Sequence, residues 1–465
     1  MLSLHEVATM TRGRIVNAPG DSALRVDDVT TDSRQLREGA LFVALSGDRF
    51  DGHDYVDAVA ARGAVAALVE RMVSPALPLV VVDDTRHALG DLASGWRRRF
   101  RMPLIVVTGS NGKTTTKEMI AAILSAAFGE ADFCATAGNF NNDIGVPLTL
   151  LRLRTHHHAA AIELGMNHPG ETARLAYIAG PDVALVLNAQ REHQEFMQTV
   201  EAVADEHALA IEALGPGGTA IFPADDAYAH VWRTAAGSRR VVDFACTTDH
   251  DATSPAASVV ARTHLQSGES IVHLDTPAGT TTIHLHAAGM HNVRNAAAAA
   301  AACIAAGIGL DAVRRGLEAF RPVGGRSQVG RIDGATLIDD TYNANPDSMR
   351  AAIEVLASHP SPRLLVVGDM GEVGDAGPRF HREIGDHAST LGVETLHAFG
   401  AASRDVVAAF GVGARHFDDI DALIAATRAW VADHADATVL VKGSRFMKME
   451  RVVAALRNEV LKDGH

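Results

Sequence analysis

The stretch that most constrains this chain is Ile105-Val106-Val107-Thr108-Gly109-Ser110-Asn111-Gly112-Lys113-Thr114-Thr115-Thr116. A β-branched apolar run suits a buried strand, and Lys117 to Ala127 have the spacing of an amphipathic helix. Between the two, Gly109 and Gly112 free the backbone so that successive N–H groups can turn inward on a phosphate. The helix N-terminus adds its positive end, Lys113 a mobile charge and Thr114 a hydroxyl suited to Mg2+. The pattern is not the regular G-x-x-x-x-G-K-[ST] loop, which needs glycine at 107 and finds Val107. Set between a strand and a helix, it predicts a nucleoside triphosphate cradle with Mg2+, in which Ser110, Asn111 and Thr115 complete the loop.

A chain of 465 residues is too long for one core, and about three domains are expected. The net charge of −14 argues against nucleic acid or an anionic membrane as partner, and the densest basic run, Arg97-Arg98-Arg99, reads as a solvated helix face. Cys134, Cys246 and Cys303 are far apart and odd in number, without metal or disulfide spacing, which indicates a reducing compartment. The N-terminus lacks a basic start followed by a long apolar core, so a cytoplasmic protein without membrane insertion is expected.

Residues 1–84 alternate short strand and helix signals and read as a small α/β unit. It contains Thr31-Asp32-Ser33-Arg34 and, after the strand-like Phe42 to Leu45, a polar loop from Ser46 to Asp54. Each is either a ligand loop or a capped turn. Residues 85–321 alternate strands and helices, which implies a mostly parallel sheet with ligands at the carboxyl ends of its strands. Within them, 239–288 read as an added antiparallel meander. Residues 322–465 restart the rhythm as a Rossmann-like α/β domain. The fold class is α/β with three domains.

Strand ends mark the candidate chemistry. Glu163 closes Ala161-Ile162-Glu163-Leu164-Gly165, where a carboxylate can hold Mg2+ opposite the phosphate loop or merely cap a helix. His193 follows the next apolar run. The loop Gly138-Asn139-Phe140-Asn141-Asn142-Asp143 offers amides to a polar ligand, although turn chemistry explains it equally well.

Taken together and in order, TGSNGKTTT, IELG, a histidine after the following strand, HNVRN, GGR and KGSR resemble the Mur ligase family of ATP-dependent peptide-forming enzymes over essentially the whole chain. TDSR, GNFNNDIGVPLTLL, DDTYNANPDSM and VVGDMGEVG are similar to the branch whose substrates are UDP-N-acetylmuramoyl-tripeptide and D-alanyl-D-alanine. The D-N-P-R motif of the ligase adding the third residue is absent. The resemblance implies that Lys113 binds the β- and γ-phosphates, that Thr114 and Glu163 bind Mg2+, and that His193 serves a second metal. Asn292 and Asn295 become adenine-side contacts, Arg326 a phosphate contact and Asp340 the ribose-side carboxylate. Ser33, Arg34, Ser46, Asp51, Gly52 and His53 are assigned to the UDP-sugar; Asn139, Asn142, Tyr342 and Asn345 to the peptide substrates. The implied reaction passes through an acyl phosphate, in a monomer.

Two departures stand out. The family's N-x-G-x-A-H reads Asn188-Ala189-Gln190-Arg191-Glu192-His193, and fourteen residues past His193 the lysine that many relatives carbamylate is His207. Independence from carbon dioxide is therefore expected. A P-loop kinase and a switch-type NTPase share the phosphate loop, but neither needs a third domain bearing KGSR and DDTYNANP.

Overall fold

A computed structural model of the chain describes residues 1–18, 24–47, 50–73, 76–248, 251, 255–265 and 270–459. Asp48 and Arg49, inside the loop singled out from Ser46 to Asp54, lie outside the described residues.

Three sheets organise the molecule. The first runs in the order Arg14–Val16, Leu79–Val81, Ala66–Val69, Ala40–Val43, Asp28–Thr30, parallel except for the edge strand Arg14–Val16. The helix Leu4–Thr11 flanks it and starts with a capping box, Ser3 and Glu6 each satisfying the other's backbone N–H. The helix Thr85–Arg97, capped by Asp84, packs on Leu4–Thr11 on one side and on the helices Gly145–Leu150 and Glu171–Ala179 on the other. Leu89, Leu92 and Trp96 thus join the core of the first sheet to that of the second, so apolar packing runs straight across position 85.

The second sheet is parallel throughout, in the order Phe133–Ala135, Ala159–Glu163, Leu104–Thr108, Val183–Val186, Thr219–Ile221, Arg240–Val241. Its central strands are buried on both faces, which is why they read as continuous apolar runs. The appended sheet, Phe244–Thr248, Val259–Leu265, Ser270–Thr276 and Gly279–Leu285, is antiparallel in its last three strands, while its first pair is parallel. Asp243 fixes that crossover by accepting from the N–H and hydroxyl of Ser258 at 2.9 and 2.8 Å. The helix Met290–Ala305 lies between this sheet and the helix Lys113–Phe128, with Ala296 to Ala302 fully buried. Small side chains permit that closeness, and Gly316 extends it: a Cβ there would sit 2.4 Å from Ile123 Cα.

The third sheet is ordered Gln328–Ile332, Ala335–Asp340, Thr438–Lys442, Arg363–Gly368, Thr395–Phe399, Ala414–Phe417, with only the first strand antiparallel. The late strand Thr438–Lys442 inserts between two earlier ones, creating a switch point where Asp340 and Lys442 end side by side. Among the described residues, no helix is long and apolar enough to cross a membrane.

Candidate functional site

The carboxyl ends of the second and third sheets face one cavity of about 1450 Å³. On its floor, Gly109 and Gly112 adopt φ +134° and +86°, turning the chain from the strand into the helix at Lys113. Neither tolerates a side chain: a Cβ at Gly112 would meet Asn295 Oδ1 at 2.4 Å, and one at Gly109 the Leu187 Cβ at 2.8 Å. Asn188, just past the neighbouring strand, braces the turn. Its backbone oxygen accepts from Ser110 N–H at 3.2 Å and its side-chain oxygen from Asn111 N–H at 2.9 Å.

Lys113 is not a free loop charge. It opens the helix with its side chain 15 % exposed, and its ammonium donates to the Gly109 carbonyl, to Ser110 O at 3.1 Å and to Glu192 Oε2 at 3.1 Å. Burial works to raise the Glu192 carboxyl, but the Lys113 charge and the hydrogen bond from His207 outweigh it and hold it down at about 2. Thr114 donates to Glu163 Oε1 at 3.1 Å, and Asn141 donates to the same oxygen at 2.8 Å. Glu163 Oε2 is buried without a protein partner. A carboxylate oxygen left bare beside a threonine hydroxyl, under a phosphate-type loop, fits a hard cation with oxygen ligands.

His193 stands apart from that pair. It has left-handed backbone, φ +47°, and its Nδ1 lies 2.6 Å from Glu372 of the third sheet's unit, whose carboxyl it lowers. Among the described residues, no three His, Cys, Asp or Glu side chains are grouped for a metal.

Of the nucleotide-side residues, Asn292 and Asn295 are buried on the helix Met290–Ala305, where Asn295 backs Gly112. Arg326 lies over the Tyr342 ring at 3.8 Å. Asp340 pairs with Lys442 at 2.6 Å and accepts from Ser327 N–H at 2.9 Å. Asn345 caps the helix Pro346–Ala357 and also donates to Asn111 Oδ1 at 2.9 Å, tying the phosphate loop to the third unit. Asn142 lines the cavity but spends its side-chain oxygen capping Gly145 at 2.8 Å. Asn139 is exposed and outside the cavity lining; Asn141 takes the inward position instead.

Ser33, Arg34, Ser46, Asp51, Gly52 and His53 do not line this cavity. Asp51 accepts from Ser46 at 3.2 Å, from Arg71 at 2.7 Å and from His53 Nδ1 at 2.6 Å. Because His53 Nε2 accepts from Glu70 N–H at 2.9 Å, the imidazole proton is assigned to Nδ1. Gly52 must be glycine, since a Cβ would lie 2.8 Å from Leu45 N and O. Arg34 is 77 % exposed, and its guanidinium donates to Asp32 at 3.0 Å.

Glu192, Arg191, Asn141 and Lys442 belong to the site although the sequence reading had not assigned them roles. Arg191 reaches out of the second unit to Asp347 and, at 2.7 Å, to Glu383. For Arg191 and Glu192 the signal available was local charge in the loop 188–193, which has no periodicity to expose it.

Three family models match the chain: the Mur ligase family catalytic domain at residues 25–97, the Mur ligase middle domain at 107–303 and the Mur ligase glutamate ligase domain at 325–445. The chain is 40% identical over 460 residues to the UDP-N-acetylmuramoyl-tripeptide--D-alanyl-D-alanine ligase of Escherichia coli, covering 98% of each. It is 36% identical to the enzyme of the same name from Haemophilus influenzae, over 99% of each. Among solved structures it is similar to MurF from Acinetobacter baumannii, with TM-score 0.90 and 33% identity over 98% of this chain and 99% of that one. MurF ligase from Thermotoga maritima in complex with ADP gives TM-score 0.82 and 27% identity over 94% and 98%.

Proposed function

The chain belongs to the Mur ligase family, and on that premise we propose that it is the ATP-dependent ligase joining D-alanyl-D-alanine to UDP-N-acetylmuramoyl-tripeptide in peptidoglycan precursor synthesis. The observation that carries the reading is the Thr114–Glu163 pair beneath the glycine loop, in a cavity whose far wall is the third unit. A kinase or switch NTPase has no use for that wall.

The loop N–H groups and Lys113 receive the triphosphate and lower the cost of bringing it to the tripeptide carboxylate. Thr114 and Glu163 would hold Mg2+, which supplies charge neutralisation for the transferring phosphoryl group. The γ-phosphoryl passes to the carboxylate, giving an acyl phosphate; the amine of D-alanyl-D-alanine attacks its carbonyl carbon, and phosphate leaves. His193 would offer Nε2 to a second metal, with Glu372 holding the ring through Nδ1. The adenosine end is assigned to Asn292, Asn295, Arg326 and Asp340, and the peptide ends to Asn139, Asn142, Tyr342 and Asn345. Contacts across the cavity, Asn111 to Asn345 and Arg191 to Asp347, hold a closed arrangement that keeps water from the anhydride.

We assign residues 1–84 to the UDP-sugar, with Ser33, Arg34, Ser46, Asp51, Gly52 and His53 as its contacts, 85–321 to ATP, and 322–465 to closure and the incoming dipeptide. The protein works as a cytoplasmic monomer in this reading, where ATP and UDP-linked substrates are made. The test is phosphate release: it should require D-alanyl-D-alanine and the UDP-tripeptide together. Release that ignores D-alanyl-D-alanine sinks the ligase reading.

A further inference from the structure

Two buried groups, one in the cavity floor and one behind it, have no part in the scheme above. Glu192 is 5 % exposed, and its two oxygens face opposite ways: Oε2 to the Lys113 ammonium at 3.1 Å, Oε1 to His207 Nε2 at 3.0 Å. His207, on the helix Val200–Glu212, is 0 % exposed, and its Nδ1 lies 3.0 Å from the hydroxyl of Thr108, the last residue of the phosphate strand.

A carboxylate can only accept, so Nε2 carries a proton and donates to Glu192, while Nδ1 and the threonine hydroxyl share a hydrogen bond. The result is a continuous chain from Thr108 through His207 and Glu192 to Lys113. Every polar atom along it has a partner.

Such a chain is a poor device for stability alone. Two apolar side chains of similar volume commonly serve a core as well as a buried ion pair does. A fixed anion here also opposes the polyanion that the loop receives, so it costs affinity in the ground state. What it supplies is placement. The ammonium has three donors, and all three are occupied, by Gly109, Ser110 and Glu192. The lysine is thereby folded over its own loop, with its long flexible stem held at both ends.

We propose that Glu192 is a positioning residue for phosphoryl transfer, clamped by His207 and Thr108 so that Lys113 stands ready over the loop and returns there after turnover. The proposal rests on the ligase reading of the cavity. Glu192 acts through Lys113, and His207 and Thr108 act through Glu192. When phosphates arrive, the lysine exchanges one of its three acceptors for a phosphate oxygen, and the clamp keeps the vacated carboxylate from following it into the cavity.

The test uses E192Q, H207L, H207Q and T108V in the full chain, with ligase kinetics, ADP titration and thermal melting. Glu192→Gln should lower kcat about 10–100-fold, the range for removing a group that orients a catalytic ligand. It should leave KM for the UDP-tripeptide unchanged and ADP binding at least as tight as in the parent. A merely structural loss would weaken ADP binding and melting together. H207L and T108V should lower kcat in the same direction, and H207Q, which keeps an N–H donor for Glu192, should recover much of it. The double variant E192Q/H207L should be no worse than E192Q, because both cut one chain.

Parental kcat in E192Q, or a double variant that loses the product of the single effects, overturns the proposal. If H207L fails to fold, E192Q and T108V decide. If the parent chain shows no phosphate release dependent on both substrates, the ligase reading fails instead, and the ADP titration of E192Q against the parent still judges the clamp: weakened binding overturns it.

Discussion

Lys113 shows how much a single side chain can be asked to do. It begins a helix, reaches back over its loop and neutralises a buried carboxylate, so its removal has two separable effects. Lys113→Ala should abolish ligation while the fold persists. It should also cost roughly 3–5 kcal/mol in urea denaturation, because the buried Glu192 loses its cation. Adding Glu192→Gln to that variant should restore part of the stability and none of the activity. At Arg34 the situation is the reverse. Its exposed pair with Asp32 is worth little to the fold, so Arg34→Ala should raise KM for the UDP-tripeptide with KM for ATP and melting little changed; the opposite kinetic pattern refutes the first-unit assignment. His207 bears on carbon dioxide. It is fully buried with both ring nitrogens engaged. Glu192 brings a permanent carboxylate to the place, and imidazole forms no lasting carbamate. Turnover should therefore be unchanged when bicarbonate is stripped from the buffer. Lys113, Thr114 and Glu163 could be read from the sequence because each sits at a fixed offset from a strand end. Asn141 could not be told from Asn139 and Asn142, because the choice depends on which amide the helix at Gly145 consumes as a cap.

The loop following the strand Val183–Val186 does the most with the fewest residues. Asn188 braces the phosphate turn, Arg191 leaves the unit altogether, Glu192 turns back beneath the loop and His193 turns outward to Glu372. Nothing in its spacing indicates this, since side chains in an irregular loop follow no period; the left-handed backbone at His193 sets the final reversal. By contrast, the parallel sheet and its helices were legible from their apolar runs; the expected meander from 239 lost Arg240–Val241 to the parallel sheet, and its first pair is parallel. Arg191 is the element's working end. Its guanidinium stacks over Phe380 at 5.1 Å and bridges Asp347 and Glu383 on two helices of the third unit. Arg191→Ala should open the molecule, seen as a larger radius of gyration in solution scattering, and lower kcat more than it raises KM for ATP. The pH dependence follows from Glu383, whose carboxyl Arg191 holds below the ordinary value of 4.5. A lowered carboxyl contributes above its unfolded value and is lost as pH falls through its folded one. The clamp should thus stay shut at neutral pH and through the ordinary carboxylate range, and loosen only in stronger acid.

At the scale of the whole molecule, the division into units is a matter of function more than of packing. The helix Thr85–Arg97 shares its core with the first sheet and the second, so cutting at 84 strips apolar cover from the helix Leu4–Thr11. Residues 1–84 alone should be poorly stable, and a longer piece ending near Arg97 should fare better in thermal melting. The third unit meets the second chiefly through polar contacts, as units that must part and rejoin commonly do. The Asn111–Asn345 bridge has a kinetic consequence. It joins the two walls at the phosphate loop itself, so phosphates should seat fully there only once that bridge has parted. Arrival is then timed by how often the walls separate, a first-order event that no excess of ATP can hasten. In rapid mixing, the observed association rate should climb with ATP and then level off at the frequency of opening, and Asn345→Ala should lift that ceiling.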